Sequence, residues 1–288
     1  MTYRGRFAPS PTGQLHFGSL VAAVGSWLCA RHAGGQWLVR VEDIDPPREV
    51  PGAAAGILAT LAAFGLVADE PPLFQSTRLA AYDAAFEQLR AAGRVFPCSC
   101  SRSELAAGGG IHRDGQCLAA AHADRVPAWR LRVPDVEVTF DDALQGPQHE
   151  NLRETVGDFV IRRADGFYSY QLACVVDDAF QQITEVVRGQ DLLESTARQI
   201  WLRGCLGLPA VRYRHLPLVL DAQGNKLSKT AHAWPIDPAE PTPALRRALA
   251  FLRQPLPDTV IGVGGLLAHA LAGFDPAVMP HCSGNSVA

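Results

Sequence analysis

The first part of the chain alternates between short apolar segments and longer stretches with helical periodicity. Between residues 16 and 32, Leu20, Val24 and Leu28 recur on one face of a predicted helix, which a glycine pair then ends. In chain order, the pattern predicts a strand at 4–8, a turn at 9–13, the helix at 16–32, a strand at 37–41, and helices at 52–65 and 76–92. This order is typical of a doubly wound parallel sheet, so the sequence predicts a Rossmann-like α/β fold.

The pattern changes near residue 95, where cysteines, glycines and short alternating segments replace the long helices. We interpret this part as an inserted α+β subdomain. Later elements are predicted as a βα segment at 167–176, a strand at 182–187, a helix at 191–206, a strand at 215–220, and helices near 243–252 and 263–271. The predicted parts are the first half of an α/β domain at 1–94, the insertion at 95–165, the second half of the α/β domain at 166–232, and a short C-terminal extension at 233–288.

Composition and charge narrow the class of protein. The chain has 288 residues and a net charge of −3, whereas proteins that coat nucleic acid nonspecifically are strongly basic. No run of about 20 apolar residues predicts a membrane span, and the N-terminus lacks the apolar core of a signal peptide. The seven cysteines are unevenly spaced, so a disulfide framework is not expected. We expect a cytoplasmic protein without a membrane partner that acts as a monomer and contacts any RNA through a local patch.

The first candidate motif, His16-Phe17-Gly18-Ser19, lies at the start of the first predicted helix, directly after a strand and a turn. A helix N-terminus presents unpaired N–H groups and a partial positive charge, which favour phosphate oxygens. Gly18 allows a ligand to approach the backbone closely, and His16 can donate a hydrogen bond. The alternative is an ordinary helix start with a capping histidine.

The second candidate motif, Lys226-Leu227-Ser228-Lys229-Thr230, holds the only two lysines of the chain, and the other 24 basic residues are arginines. An ammonium group is a compact point charge, whereas a guanidinium is a broad planar fork, so lysine persists where arginine cannot replace it. Two ammonium groups on a polar loop can stabilise charge on a departing pyrophosphate. The alternative is a solvated basic turn.

These two motifs resemble the signature sequences of class I aminoacyl-tRNA synthetases in order and in separation. Three further segments resemble the glutamyl/glutaminyl branch: Arg6-Phe7-Ala8-Pro9-Ser10-Pro11-Thr12-Gly13, Arg40-Val41-Glu42-Asp43-Ile44-Asp45 and Val186-Val187-Arg188-Gly189-Gln190-Asp191-Leu192. The resemblance extends from the start of the chain to about residue 230. It implies an AMP-forming ligase that uses ATP with Mg²⁺, with His16, Gly18, Lys226 and Lys229 in catalysis and Ser19 and Ser228 also at the ATP.

Only 58 residues follow Thr230 in the 288-residue chain, too few for the large anticodon-binding region of that branch. The sequence therefore looks most like the shorter glutamyl-Q tRNA(Asp) synthetases. This family activates glutamate with ATP and transfers it to the queuosine base of tRNA(Asp). The resemblance implies L-glutamate and queuosine-containing tRNA(Asp) as partners.

The resemblance also implies a glutamate pocket. Two carboxylates require guanidinium groups, and an ammonium requires an acid. Arg6 and Arg188 would bind carboxylates and Glu42 the amine, but the sequence does not decide which arginine faces the α-carboxylate. The pocket is completed by Phe7, Ala8, Pro9, Ser10 and Tyr170. Surface ion pairs, a solvated loop and a core aromatic are the structural alternatives.

Two rival functions stay open. One is a minimal glutamyl-tRNA synthetase that charges the 3′ end of a tRNA. The other is a non-catalytic regulator that binds glutamate or a nucleotide, which leaves the retention of both lysines unexplained.

Cys98, Cys100 and Cys117 offer three soft metal ligands, and structural zinc is normally four-coordinate. The related family completes its zinc site with a tyrosine that precedes the last cysteine by four positions. Here that position is Arg113, which cannot bind zinc, and we predict His112 as the fourth ligand. His122 is a weaker candidate, and a reduced, metal-free cysteine cluster is the alternative.

Overall fold

The computed structural model describes residues 2–107, 109–113, 124–220, 236–259 and 261–281. The first elements alternate between strand and helix, as the periodicity predicts. They are β1 (Arg4–Phe7), α1 (Phe17–His32), β2 (Gln36–Val41), α2 (Ala53–Ala63), β3 (Leu73–Phe74) and α3 (Leu79–Ala91). α1 begins one residue after the predicted start because His16 takes an extended conformation and caps the helix instead of joining it.

Two sets of parallel strands lie edge to edge. On one side β1 pairs with β2 and β2 with β3. On the other side β9 (Glu185–Gly189) pairs with β10 (Arg212–Leu216). The backbone N–H of Thr184, just before β9, donates to the carbonyl of Arg4 in β1 over 2.9 Å and joins the two sets. Because the chain leaves β1 towards β2 and leaves β9 towards β10, the crevice between the carboxyl ends of β1 and β9 is a topological switch point.

The inserted segment contributes strands to two sheets. Its elements are β4 (Val95–Cys98), α4 (Arg102–Ala107), β5 (Ala128–Leu131), β6 (Glu137–Asp142), β7 (Gly146–Asn151), α5 (Leu152–Thr155) and β8 (Phe159–Arg162). β4, β5 and β8 form a small antiparallel sheet. The β6–β7 hairpin instead pairs with β10 through Asp142 and Tyr213, so it extends the parallel sheet. The insertion is therefore attached to the wall of the crevice that β10 helps to form.

The C-terminal elements support α1. After α6 (Tyr170–Phe180) and α7 (Thr196–Cys205), the described chain ends with α8 (Pro241–Phe251) and α9 (Val263–Ala272). Leu245, Leu249 and Leu266 are fully buried in the same core as Leu20 and Leu28 of α1. Each such side chain stabilises the fold by about 1.5–3 kcal/mol on burial. The segment predicted as a short extension is thus part of the core that positions the start of α1.

Several predicted elements differ from the structure. The strand predicted at 182–187 is β9, which begins at Glu185, and the helix predicted at 191–206 is α7, which begins at Thr196 after a 3₁₀ segment at Gln190–Ser195. The strand predicted at 215–220 is β10, which ends at Leu216 because Pro217 has no N–H for a sheet ladder. The βα segment predicted at 167–176 is mostly helix α6, whose N-cap Ser169 accepts a hydrogen bond from the backbone N–H of Leu172 over 3.4 Å. Among the described residues, no helix has both the length and the apolar character that crossing a membrane requires.

Candidate active site

A cavity of about 710 Å³ occupies the switch point between β1 and β9. Its lining comes from the carboxyl ends of β1, β2, β9 and β10, from the start of α1 and from the start of α6. All described residues that the sequence places at glutamate or ATP line this one cavity, namely Arg6, Phe7, Ala8, Pro9, Ser10, His16, Gly18, Ser19, Glu42, Tyr170 and Arg188. The Phe7 ring also stacks on Trp37 in the core, with ring centroids 6.4 Å apart. The residues predicted for glutamate and those predicted for ATP therefore share one cavity.

The start of α1 forms the mouth of the cavity. His16 is the N-cap, and its Nδ1 accepts a hydrogen bond from the backbone N–H of Ser19 over 3.3 Å. The Oγ of Ser19 lies 3.0 Å from Nε2 of the same ring. A Cβ at position 18 would lie 3.2 Å from Cε1 of His16, so Gly18 leaves room for the folded-back imidazole. The capping interpretation and the binding interpretation of His16 thus coexist, because the capped helix end faces the cavity.

On the β1 side of the cavity, Arg6 is held by a buried ion-pair network. Its Nε donates to Oδ1 of Asp178 over 3.0 Å, and Arg40 Nη1 donates to the same oxygen over 2.6 Å. Arg203 lies 3.9 Å from the other oxygen of Asp178. Burial alone would raise the pKa of Asp178, but the charges of Arg6 and Arg40 outweigh it and keep this pKa well below its usual value. Asp178 therefore stays ionised and compensates the charge of Arg6.

Glu42 follows β2 directly and is held from behind by Arg40, whose Nη2 donates to its Oε1 over 3.2 Å. The backbone N–H of Glu42 donates to the carbonyl of Pro9 over 2.9 Å, which fixes the cavity loop to the end of β2. Burial raises the pKa of Glu42, and the charge of Arg40 opposes this shift. A buried carboxylate with a raised pKa is stabilised by a cation, and a ligand ammonium can supply one.

On the β9 side, Arg188 has a different environment. Its guanidinium donates to five neutral acceptors: His215 Nε2 at 3.0 Å, Gln199 Oε1 at 2.8 Å, Thr196 Oγ1 at 2.9 Å, the carbonyl of Leu192 at 3.2 Å and the Tyr170 hydroxyl at 3.3 Å. Within the described part of the chain, no carboxylate lies within 4.0 Å of this guanidinium. Arg188 is only 5% exposed. Among the described residues its positive charge is thus buried without a counter-charge, a costly state that a ligand carboxylate relieves.

Behind Arg188, His215 is fully buried and connects it to the inserted hairpin. Asp142 Oδ2 lies 2.6 Å from His215 Nδ1. An arginine N–H can only donate, so Nε2 of His215 accepts from Arg188 and the proton resides on Nδ1. Burial lowers the pKa of His215, and Arg188 lowers it further against the opposing effect of Asp142. The ring is therefore neutral, with a defined tautomer.

The lysine motif lies outside the described residues, which stop at Leu220 and resume at Ile236. The roles of Lys226, Ser228 and Lys229 therefore stay predictions. Pro217, Leu218 and Val219, which lead towards this motif, line the cavity.

A second candidate site lies in the insertion. Sγ of Cys98, Sγ of Cys100 and a ring nitrogen of His112 lie within 4.8 Å of one another. Nε2 of His112 is buried without a hydrogen-bond partner among the described residues, while Nδ1 lies 2.9 Å from Asp158 Oδ2. Metal-binding histidines commonly have such a carboxylate on the second ring nitrogen. The donor set and the unpartnered nitrogen fit a zinc ion, and the predicted ligand Cys117 lies outside the described residues.

The backbone around this cluster accounts for the position of His112. The N–H of Asp158 donates to the carbonyl of His112 over 2.7 Å. A Cβ at Gly157 would lie 2.1 Å from that carbonyl oxygen, so only glycine permits the approach. Burial would raise the pKa of Cys98, but hydrogen bonds from the Cys100 backbone and from Arg130 lower it below the usual value. The Cys98 thiol therefore ionises more readily than an ordinary thiol, which is the direction that zinc ligation requires.

Sequence reasoning missed the residues that hold the cavity side chains: Arg40, Asp142, Asp178, Thr196, Gln199 and His215. Arg40 is the first residue of the recognised segment 40–45, but the motif assigned it no role; its place on a buried strand, with a polar side chain among apolar ones, was the available signal. Asp178 lies 172 residues from Arg6 in sequence, so no local pattern connects the two.

Comparison with known proteins is consistent with this geometry. The family "tRNA synthetases class I (E and Q), catalytic domain" matches residues 2–240. The glutamyl-Q tRNA(Asp) synthetase of Burkholderia mallei is 54% identical over 294 residues, which cover 98% of this chain and 99% of the relative. The protein of the same name from Xanthomonas campestris pv. campestris is 56% identical over 284 residues, which cover 97% and 94% of the two chains.

Among solved structures, a glutamate tRNA ligase from Elizabethkingia meningosepticum in complex with its amino acid superposes with a TM-score of 0.82 at 26% identity. The match covers 98% of this chain and 66% of that one, so the longer protein has a further region that this alignment does not include. The parallel α/β architecture is thus shared with that ligase. The chain belongs to the class I tRNA synthetases of the E and Q type and, within them, to the family of glutamyl-Q tRNA(Asp) synthetases.

Proposed function

We propose that the chain activates L-glutamate with ATP and transfers the glutamyl group to the queuosine base in the anticodon of tRNA(Asp). One observation carries this proposal. A single cavity at the switch point combines two guanidinium groups, of Arg6 and Arg188, with the carboxylate of Glu42 and the N-terminus of α1 at His16. This set matches the two carboxylates and the ammonium of glutamate, with a phosphate-binding helix end beside them.

In the first step, an oxygen of the glutamate α-carboxylate attacks the α-phosphorus of ATP. The bond to the β-phosphate oxygen breaks, and glutamyl-adenylate and pyrophosphate form. Positioning and charge stabilisation supply the rate, because no protein side chain forms a covalent bond. His16, Gly18 and Ser19 hold the phosphates at the helix end, and Lys226, Ser228 and Lys229 stabilise the departing pyrophosphate. Mg²⁺ accompanies ATP, where it neutralises phosphate charge.

In the second step, a hydroxyl oxygen of the queuosine ring attacks the glutamyl carbonyl. An ester forms and AMP leaves. The relatives named above are glutamyl-Q tRNA(Asp) synthetases, which favours this acceptor over the 3′ end of a tRNA.

The first step is tested by exchange of labelled pyrophosphate into ATP with glutamate, in the presence and absence of tRNA. We expect glutamate-dependent exchange without tRNA, because all groups proposed for activation belong to the protein. Lys229→Ala should reduce exchange steeply with little change in glutamate affinity. Exchange that is absent under both conditions contradicts the proposal.

The acceptor is tested separately by mapping labelled glutamate on fragments of total tRNA. We expect the label on the anticodon fragment of queuosine-containing tRNA(Asp), and none on tRNA from cells that lack queuosine. Label on the 3′-terminal fragment would support the minimal synthetase instead.

For the insertion, we propose a structural zinc ion held by Cys98, Cys100, His112 and Cys117, in a subdomain that spans residues 95–165. The unpartnered Nε2 of His112 supports this ligand set. Arg113, which stands where the related family has its tyrosine ligand, cannot coordinate a cation. Its Nε donates instead to the carbonyl of Arg153 over 3.3 Å. Zinc would stabilise the fold here and take no part in the reaction.

Metal analysis of protein purified without chelator tests the zinc proposal. We expect about one zinc per chain, in line with one four-coordinate site, and loss of that zinc in His112→Ala. His149→Ala, which changes an exposed histidine of the neighbouring hairpin, is the matched control. Zinc-free wild-type protein, or equal zinc in both variants, would contradict this assignment.

A further inference from the structure

Asp142, His215 and Arg188 form a continuous hydrogen-bonded chain from the inserted hairpin to the cavity. Asp142 Oδ2 is 2.6 Å from His215 Nδ1, and His215 Nε2 is 3.0 Å from Arg188 Nε. All three residues are nearly or completely buried. The family motifs include Arg188 but neither of the other two.

We propose that His215 is a positioning residue for glutamate recognition, because its neutral ring accepts a hydrogen bond from Arg188 and so orients the guanidinium. Asp142 sets the tautomer of His215 that this hydrogen bond requires. The proposal rests on the function proposed above for Arg188. His215 does not touch the substrate in this account, and it acts only through the guanidinium.

The geometry explains why a neutral acceptor is needed at this point. A protein carboxylate beside Arg188 would offset the charge of its guanidinium and would compete with the carboxylate of the substrate. Asp178 offsets the charge of Arg6 in this way. A donor would repel the Nε–H group. The Nε2 lone pair of a neutral histidine orients the guanidinium and leaves its positive charge for a ligand.

Asp142 can set the tautomer because its other oxygen is fully occupied. Oδ1 of Asp142 accepts three backbone N–H groups, from Leu144 at 3.0 Å, Gln145 at 2.9 Å and His215 at 3.1 Å. Only Oδ2 is left for the ring, so it receives the Nδ1 proton and leaves Nε2 as the acceptor.

The same constraint makes Asp142→Asn informative. The three backbone donors keep the amide oxygen at the Oδ1 position, so the amide nitrogen must face Nδ1 of His215. That nitrogen donates, and the imidazole proton moves to Nε2. Nε2–H then opposes the Nε–H of Arg188 and can donate instead to Thr196 Oγ1, 3.2 Å away, so Arg188 loses its acceptor. A change of one atom thus reverses the tautomer while the volume of the side chain is conserved.

Glutamate-dependent pyrophosphate exchange tests the proposal through separate Michaelis constants. In Asp142→Asn and His215→Asn we expect KM for glutamate to rise on the order of 10- to 100-fold, with KM for ATP nearly unchanged. His215→Gln, whose longer amide can place an acceptor near the Nε2 position, should recover much of the glutamate affinity. His269→Gln, an exposed histidine on α9, is the control and should match wild type.

Nitrogen NMR of the histidine rings supplies a readout that is independent of activity. We expect His215 to be protonated on Nδ1 in wild type and on Nε2 in Asp142→Asn. A wild-type ring protonated on Nε2, or a wild-type KM for glutamate in Asp142→Asn and His215→Asn, would overturn the proposal. Wild-type protein without any exchange would refute glutamate activation instead, and the tautomer would then still decide whether Arg188 is held as proposed.

Discussion

The two arginines of the cavity face opposite electrostatic settings. Arg6 shares the ionised carboxylate of Asp178 with Arg40, so its charge is compensated within the protein. Its Nη1 nevertheless has no hydrogen-bond partner among the residues that the structure describes. Arg188 is the reverse case, because every N–H has an acceptor but no acceptor carries a charge.

The two sides of the cavity therefore make different contributions to ligand binding. The Arg6 side offers an open donor group, Nη1, on a guanidinium whose charge Asp178 partly compensates, which suits hydrogen bonding and orientation. The Arg188 side offers net positive charge in a buried position, which selects for an anionic ligand. Two arginines that look equivalent in the sequence motifs therefore differ in what they cost the fold and in what they supply to binding.

The largest expected effect comes from Asp178→Ala. Removal of this carboxylate leaves the buried guanidinium of Arg6 without a carboxylate partner among the described residues and leaves that of Arg40 with Glu42 alone. We therefore expect a loss of about 3–5 kcal/mol in the free energy of unfolding. Urea denaturation measures it. Asp258→Ala changes an exposed aspartate and should stay within about 0.5 kcal/mol of wild type. Equal free energies of unfolding for the two variants would show that the ion-pair network around Arg6 does not stabilise the fold.

Arg188→Gln should separate binding from stability. We expect kcat/KM for glutamate to fall on the order of 100-fold, about 3 kcal/mol, because the charge that attracts the carboxylate is lost. The free energy of unfolding should stay the same or rise, since a buried charge without a counter-charge destabilises the fold. Arg6→Gln is the matched comparison and should lower both quantities. A destabilised Arg188→Gln would contradict the contrast between the two sides.

The smallest expected effect is on acid stability. The pKa of Asp178 lies well below its usual value, and that of Asp142 is lowered to about 2 by hydrogen bonds from His215 and Gln145 against the effect of burial. As pH falls below about 4, the unfolded chain binds protons that these folded carboxylates do not, so stability falls with pH. Between about pH 5 and pH 3, wild type should lose roughly 1 kcal/mol more than Asp178→Ala. Parallel pH profiles would indicate that Asp178 is not held ionised.

Much of the parallel sheet was predictable because its elements have regular periods. The helices at 16–32 and 52–65 and the strand at 37–41 agree with α1, α2 and β2 to within a residue or two at most ends. The cavity was predictable in part as well, since residues after successive parallel strands must meet at one edge of a sheet. The motif residues Arg6, His16, Glu42 and Arg188 meet there.

The supporting residues were not predictable, for a physical reason. Asp178 and Asp177 sit on α6 at positions that a sequence pattern assigns to a solvated face, yet both are buried because distant arginine, glutamine and tyrosine side chains satisfy them. Arg130 alternates with Arg132 along the chain, a spacing that is typical of a solvated strand face. In the structure it is nearly buried and donates to Cys98 Sγ over 3.2 Å and to the carbonyl of Asp158 over 2.9 Å. A single chain does not reveal such long-range pairing.

A crystal structure of the complex with L-glutamate tests the central contrast most directly. We expect one of the two glutamate carboxylates to lie within about 4 Å of the Arg188 guanidinium, where the described residues place no carboxylate, and a ligand oxygen to accept a hydrogen bond from Nη1 of Arg6. Glutamate bound in the cavity with neither carboxylate near Arg188 would contradict it.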